Sequence, residues 1–158
     1  MEVESQTVLE SPYRSPLVIV EAIKDIIKDK VVCDLGCACG DILIRMKKYA
    51  KDVIGVERDI DRAIIARSRF GLNVIKGDIL QDSIPEADVY YLWVVTGIVR
   101  KVLDRIPRGT VIIGVDCTYN EDKEIEKFGF KGDWITVPFD EGNGWRQKGI
   151  FKLLVINK

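Results

Sequence analysis

Apolar residues first recur at helical spacing near the amino terminus. Ile19, Ile23, Ile26 and Ile27 share one face, and Lys24, Asp25 and Lys28 take the opposite one. Ser15 suits an N-cap and Pro16 the first helical position, so a helix is expected to start there. Val31 to Leu35 is an apolar run interrupted only by Asp34, the pattern of a buried strand. Helical spacing returns with Ile42, Leu43, Met46, Tyr49 and Ala50, while Arg45, Lys47 and Lys48 point outward. Val53-Ile54-Gly55-Val56-Glu57 reads as a second strand, after which Asp59 or Asp61 opens a helix running to about Phe70. Val74-Ile75 begins a third strand that ends at Gly77-Asp78, and 89–95 form a fourth, apolar on both faces and therefore central. A helix over about 96–105 carries Ile98, Val99, Val102 and Leu103. Pro107-Arg108-Gly109 then turns the chain into a fifth strand over 110–115, and a short helix over about 121–128 stops at Gly129.

The alternation then changes. No helix separates Trp134-Ile135-Thr136-Val137 from the apolar run 150–156, and Asp140-Glu141-Gly142-Asn143-Gly144 lies between them as a hairpin connection. Five strand-then-helix steps followed by a hairpin predict an α/β chain: a mostly parallel, seven-stranded sheet with helices on both faces and an antiparallel end. The 158 residues are expected to form one domain, with residues 1–14 as an N-terminal arm.

Composition narrows the chemistry. The 47% hydrophobic content supports a sizeable core, and 24 basic against 25 acidic residues leave no electrostatic footprint for nucleic acid. No apolar run is long enough to span a bilayer, and the acidic start Met1-Glu2-Val3-Glu4 has no signal-peptide core, so the expected compartment is the cytoplasm without a membrane partner. There is no His, which removes the usual general base near neutral pH and leaves the catalytic residues unassigned. Three of the four Cys crowd positions 33, 37 and 39, unlike the spread framework of a secreted disulfide protein.

The chemistry-bearing segment is Asp34-Leu35-Gly36-Cys37-Ala38-Cys39-Gly40-Asp41. A strand ends in a carboxylate, a glycine turn follows, and a helix starts from the turn. Small residues let a ligand approach the backbone, and the new helix offers unpaired N–H groups. An acid before the first glycine suits a cationic ammonium better than a pyrophosphate. Two more carboxylates close successive strands, Glu57 after the second and Asp78 after the third.

With these motifs the chain resembles the class I S-adenosylmethionine-dependent methyltransferases, by motif over residues 31 to 115 and by element order over the rest. The resemblance implies a Rossmann-like sheet and S-adenosylmethionine as cofactor, with S-adenosylhomocysteine as product. It places Glu57 on the ribose hydroxyls and Asp78 on the adenine amino group, with Ile79 and Arg58 covering the ring. Asp34 falls near the methionine ammonium, and the turn Gly36-Cys37 through Gly40 lies against the methionine moiety. Leu92 or Trp93 offers a backbone carbonyl to the ammonium. Ala38 departs from the family by replacing its middle glycine.

The methyl acceptor is less defined. The stretch Tyr91-Leu92-Trp93-Val94-Val95-Thr96 lacks the Asn/Asp-Pro-Pro-aromatic motif of DNA-amino and glutamine-amide methyltransferases, and there is no Pro-Cys dipeptide in that loop. The segment Pro12-Tyr13-Arg14-Ser15-Pro16 resembles one that folds over the cofactor in small archaeal protein-lysine methyltransferases, with Tyr13 and Ser15 at the matching positions. That resemblance implies a protein-lysine acceptor in a slot lined by Tyr13, Tyr91, Trp93 and Trp145, with Tyr13 also near the methionine end. A small molecule or RNA as acceptor stays open, as does a non-catalytic module that binds the cofactor and regulates a partner. So does a monomer or small homo-oligomer. Two rivals use the same residues: a nicotinamide enzyme, whose G-x-G-x-x-G turn Gly36-x-x-x-Gly40 does not match, and an iron–sulfur site on Cys33, Cys37 and Cys39, which misses the C-x-x-x-C-x-x-C spacing by one residue. No metal is expected.

Overall fold

A computed structural model describes residues 17–93, 98–115, 131–143 and 146–158. The elements are α1 (Leu17–Ile27), β1 (Val31–Leu35), α2 (Asp41–Met46), β2 (Asp52–Glu57), α3 (Ile60–Phe70), β3 (Val74–Lys76), β4 (Val89–Trp93), α4 (Ile98–Leu103), β5 (Val111–Val115), β6 (Lys131–Asn143) and β7 (Arg146–Asn157). The expected arm over 1–14, the helix start at Ser15 and Pro16, the continuation of β4 into 94–95, the helix over 121–128 and Trp145 lie outside the described residues.

The seven strands form one sheet in the order β3-β2-β1-β4-β5-β7-β6. β1 pairs in parallel with both β2 and β4, β2 with β3, and β4 with β5, whereas β7 runs antiparallel to β5 and β6. The side-chain period of two divides the core between the faces. Val32, Val53, Val89, Tyr91 and Ile113 pack with Ile19, Ile23, Ile27, Leu43, Met46, Ala63 and Ala66 on the side of α1, α2 and α3. Their strand neighbours Cys33, Tyr90, Leu92 and Ile112 pack with Val102, Leu103 and Ile106 on the α4 side. Among the described residues no helix is long and apolar enough to cross a membrane.

Local chemistry explains most element ends. Asp59, not Asp61, caps α3: its backbone is extended at φ −80° and its side chain accepts from Arg62 N at 3.1 Å. Gly71 ends the same helix at φ 65°.

Three expectations need correction. First, α2 ends at Met46, so Tyr49 and Ala50 lie in the following turn instead of extending the helix. The chain must reverse there, and the turn is tied to the one after α1 by Asp29 N to Tyr49 O (3.2 Å) and Lys51 N to Lys30 O (2.8 Å). Second, no helix joins β3 to β4: residues 77–88 hold only a turn near 79–81, so one of the five strand-then-helix steps is missing. Third, the hairpin strands run well past their apolar centres. β6 continues to Asn143 through a register irregularity between Asp140 and Asn143, so most of the expected connection is strand. Ladder hydrogen bonds pair backbone irrespective of side-chain polarity, so pairing outlasts the buried rows.

Candidate cofactor site

The order β3-β2-β1-β4 reverses direction between β1 and β4, and open α/β sheets bind ligands at the carboxyl ends of strands beside such a reversal. Asp34 sits at this point, one residue before the end of β1, paired across to Gly55 of β2 and Tyr91 of β4. It is only 4% exposed. Burial, and then the neighbouring Glu57 carboxylate, push its pKa up to about 8. Among the described residues no cation pairs with it.

The turn after β1 is bound to β2. Gly36 N and Cys37 N both donate to Val56 O, at 2.8 and 3.1 Å. Gly36 holds φ 100° and is exposed, and a Cβ added there would meet no atom within 4 Å, so its backbone faces open space. Gly40 holds φ 88° for a different reason: its Cβ would lie 2.7 Å from Leu72 Cδ1 and 3.1 Å from Ala66 Cβ. The first glycine keeps an approach open, and the second lets the start of α2 pack on α3 and the residues after it.

Ala38, where the family has glycine, takes φ 51°, a left-handed conformation that L residues rarely adopt. Its N–H donates to Glu57 Oε1 at 2.8 Å. Glu57 Oε2 accepts from Asp59 N at 2.9 Å, so this buried side chain joins the glycine turn to the start of α3. A carboxylate oxygen has two lone pairs, and each oxygen of Glu57 therefore keeps capacity for one hydroxyl donor.

Asp78 lies past β3 at the same sheet edge, with Gly77 N bonded to Glu57 O at 2.9 Å. Asp78 Oδ1 accepts from Leu80 N at 2.9 Å. Arg58 is exposed beside Glu57, while Ile79 is partly buried against the α4-side core. The Leu92 side chain is fully buried, which leaves its backbone as the group able to serve a ligand. Trp93 is partly buried, edge-on to Phe151 with ring centroids 5.6 Å apart. Tyr91 is 2% exposed within the main core, so it packs there instead of standing open to an acceptor. Tyr13 and Trp145 fall outside the described residues.

The cysteines separate. Cys33 packs on the α4 side and Cys37 on the opposite face, and among the described residues no three metal-ligating side chains converge. Burial raises both thiol pKa values, and the nearby Asp34 raises them further.

One structural residue escaped the sequence reading. Gly55 lies beneath the turn, where a Cβ would stand 2.6 Å from Cys37 Sγ and 2.9 Å from Leu43 Cδ2. A lone glycine within an apolar strand marks such a close approach, and that signal was present in Val53-Ile54-Gly55-Val56.

No protein-family model and no curated protein matches the sequence. Solved structures do match. A Pyrococcus horikoshii protein, named provisionally as an RNA methyltransferase, is 19% identical over 100% of this chain and 93% of its own, with a TM-score of 0.72. A TehB-like S-adenosylmethionine-dependent methyltransferase from Corynebacterium glutamicum is 18% identical over 92% of this chain and 89% of its own, with a TM-score of 0.67. An RNA methyltransferase from Salinibacter ruber, solved with S-adenosyl-L-homocysteine, is 20% identical over 91% and 92%, with a TM-score of 0.65. The fold is that of the class I S-adenosylmethionine-dependent methyltransferases. Within this methyltransferase fold the residues suit the cofactor on two independent grounds. Among the described residues no cation pairs with the buried Asp34 carboxyl, which suits it to a positive group, and the open backbone at Gly36 leaves room beside it.

Proposed function

We propose that this protein is an S-adenosylmethionine-dependent methyltransferase. The observation that carries the reading is Asp34: a buried carboxyl, crowded by Glu57, at the reversal point of a β3-β2-β1-β4 sheet. Burial disfavours the ionised form of such a group, and a cationic ligand beside it would restore that form. S-adenosylmethionine, when bound, supplies an electrophilic methyl group on a sulfonium and becomes S-adenosylhomocysteine.

The chain's own residues then have separable tasks. Asp34 holds the ammonium, directly or through water, and binding favours its ionised form. Glu57 accepts the two ribose hydroxyls with its remaining lone pairs while keeping the turn in place. Asp78 accepts from the adenine amino group, and Ile79 and Arg58 flank the ring. Gly36 and Cys37 present backbone to the methionine moiety, and the Leu92 carbonyl faces the ammonium. The sequence has no imidazole to act as base, so the transfer rests on a carboxylate, Tyr, Lys, Cys or positioning alone.

For the acceptor, a small molecule or an extended segment reaching the sheet edge near Trp93 is the first reading. RNA is the second reading, favoured by the substrates named for the Pyrococcus and Salinibacter proteins. The protein-lysine reading now rests on Tyr13, Trp93 and Trp145, since Tyr91 is core.

Titration calorimetry with S-adenosylmethionine and S-adenosylhomocysteine tests the cofactor. Heat from a nicotinamide dinucleotide and none from either sulfur ligand would overturn the reading. Transfer of labelled methyl to RNA, protein or small-molecule fractions then selects the acceptor. Tight binding with no transfer to any fraction would favour the regulatory module.

A further inference from the structure

The connection from β3 to β4 crosses the sheet without a helix, so its backbone N–H and C=O groups cannot find partners within a regular element. Part of the solution is internal. Asp78 N donates to Asp82 Oδ2 at 2.7 Å, Leu80 N to Asp78 Oδ1 at 2.9 Å, and Gln81 N and Asp82 N to Asp78 O at 3.1 and 2.8 Å. Tyr90 Oη donates to Pro85 O at 2.5 Å and Val111 N to Asp88 O at 3.0 Å, and two more carbonyls are taken by one distant side chain. Arg105, in the turn that closes α4 through its N–H to Val102 O (2.9 Å), reaches across to this loop. Its Nη1 donates to Ile79 O and its Nη2 to Asp82 O, the latter at 2.6 Å. Beneath this contact Ile79, Ile84 and Ala87 pack against the core formed by Val102, Leu103 and Ile106.

We propose that Arg105 is a positioning residue for the adenine end of the cofactor site. By pinning the carbonyls of Ile79 and Asp82 it fixes the turn whose first residue is Asp78, and so aims that carboxylate at the sheet edge. A guanidinium suits the task because its planar fork holds two carbonyls at once, whereas an ammonium is a single point. The proposal rests on the adenine role given to Asp78 above.

The test measures S-adenosylhomocysteine and its deaminated analogue S-inosylhomocysteine, which lacks the adenine amino group, against wild type, R105M, R105K and D78N. Wild type is expected to prefer the adenosyl ligand. R105M should lose about tenfold in adenosyl affinity, the range for a hydrogen bond to a charged group, with inosyl affinity held or raised. R105K should fall between, and D78N should match R105M. Hydrogen exchange of the unliganded protein gives a second readout: the amides of Gln81 and Asp82 should lose protection in R105M while those of β1 and β4 keep theirs. An unchanged adenosyl-to-inosyl ratio in R105M, or unchanged protection at 81–82, overturns the proposal. If D78N loses the preference and R105M does not, the adenine role stands and the Arg105 role falls. If wild type binds neither ligand, the methyltransferase reading fails too, and the adenine role of Arg105 with it.

Discussion

Asp34→Asn should make the protein more stable and the cofactor site weaker. The carboxyl moves from an ordinary pKa of 3.8 to about 8 on folding, chiefly through burial. Between those values the folded state keeps a proton that the unfolded state has released. Stability contributed by the protonated acid is therefore present at low pH and lost as pH rises toward 8, with a slope of about 1.4 kcal/mol per pH unit. Asparagine has nearly the same shape and no charge to lose. The stability gap between variant and wild type should thus widen by about 2.7 kcal/mol from about pH 5.5 to about pH 7.5. For a chain of this size that corresponds to roughly 5–11 °C in melting temperature. The window ends below about 8, so the gap should level off at higher pH. Over the same range the variant should bind S-adenosylmethionine more weakly by about 1.5–3 kcal/mol, having lost a charge-assisted partner for the ammonium. Differential scanning fluorimetry across pH, with calorimetry at pH near 7, reads both quantities. Opposite signs are the diagnostic feature, because a variant that simply misfolds loses both. A melting-temperature difference that stays flat over that pH range would refute the buried, proton-holding carboxyl.

Other residues give independent checks. Glu57→Ala leaves the N–H groups of Ala38 and Asp59 without their acceptor, so it should cost about 1–3 kcal/mol of stability as well as about 1.5–3 kcal/mol of cofactor affinity, both read by melting and calorimetry; wild-type affinity would remove Glu57 from the ribose. Gly40→Ala forces a methyl group to 2.7 Å from Leu72 at φ 88°, and urea unfolding should show a loss of about 2–4 kcal/mol. An unchanged midpoint would mean that the α2–α3 contact relaxes freely. Cys33, Cys37 and Cys39 are buried thiols, all three with pKa values raised chiefly by burial, so peptide mapping after iodoacetamide should find them unmodified in native protein and modified in urea. Native-state labelling at Cys37 would place its side chain in the ligand space instead of against Gly55.

Sequence alone determined the features that local periodicity and local chemistry specify. Ile19, Ile23 and Ile27 are the buried face of α1, and Val31–Leu35 is β1 as its apolar run implied. The hairpin follows from the loss of helical spacing after 131, and the three acids Asp34, Glu57 and Asp78 fall at or within two residues of the ends of β1 to β3, where apolar runs give way to turns. Contacts between segments distant in the chain leave no such trace. The apolar pattern of Tyr90-Tyr91-Leu92 states that these residues are buried, but not that Tyr91 lies in the core on the α1 side while Tyr90 faces α4. Residues 77–88 hold no helix although the count of strand-then-helix steps implied one. Only packing against α4 brings Arg105 to their carbonyls. The Asp34 pKa belongs to this class as well. A carboxylate in a sequence is one acid among 25, and it becomes a proton-holding group only when the sheet and the α1-side core exclude water and bring Glu57 beside it. Desolvation and charge proximity depend on distance in space, which the fold sets.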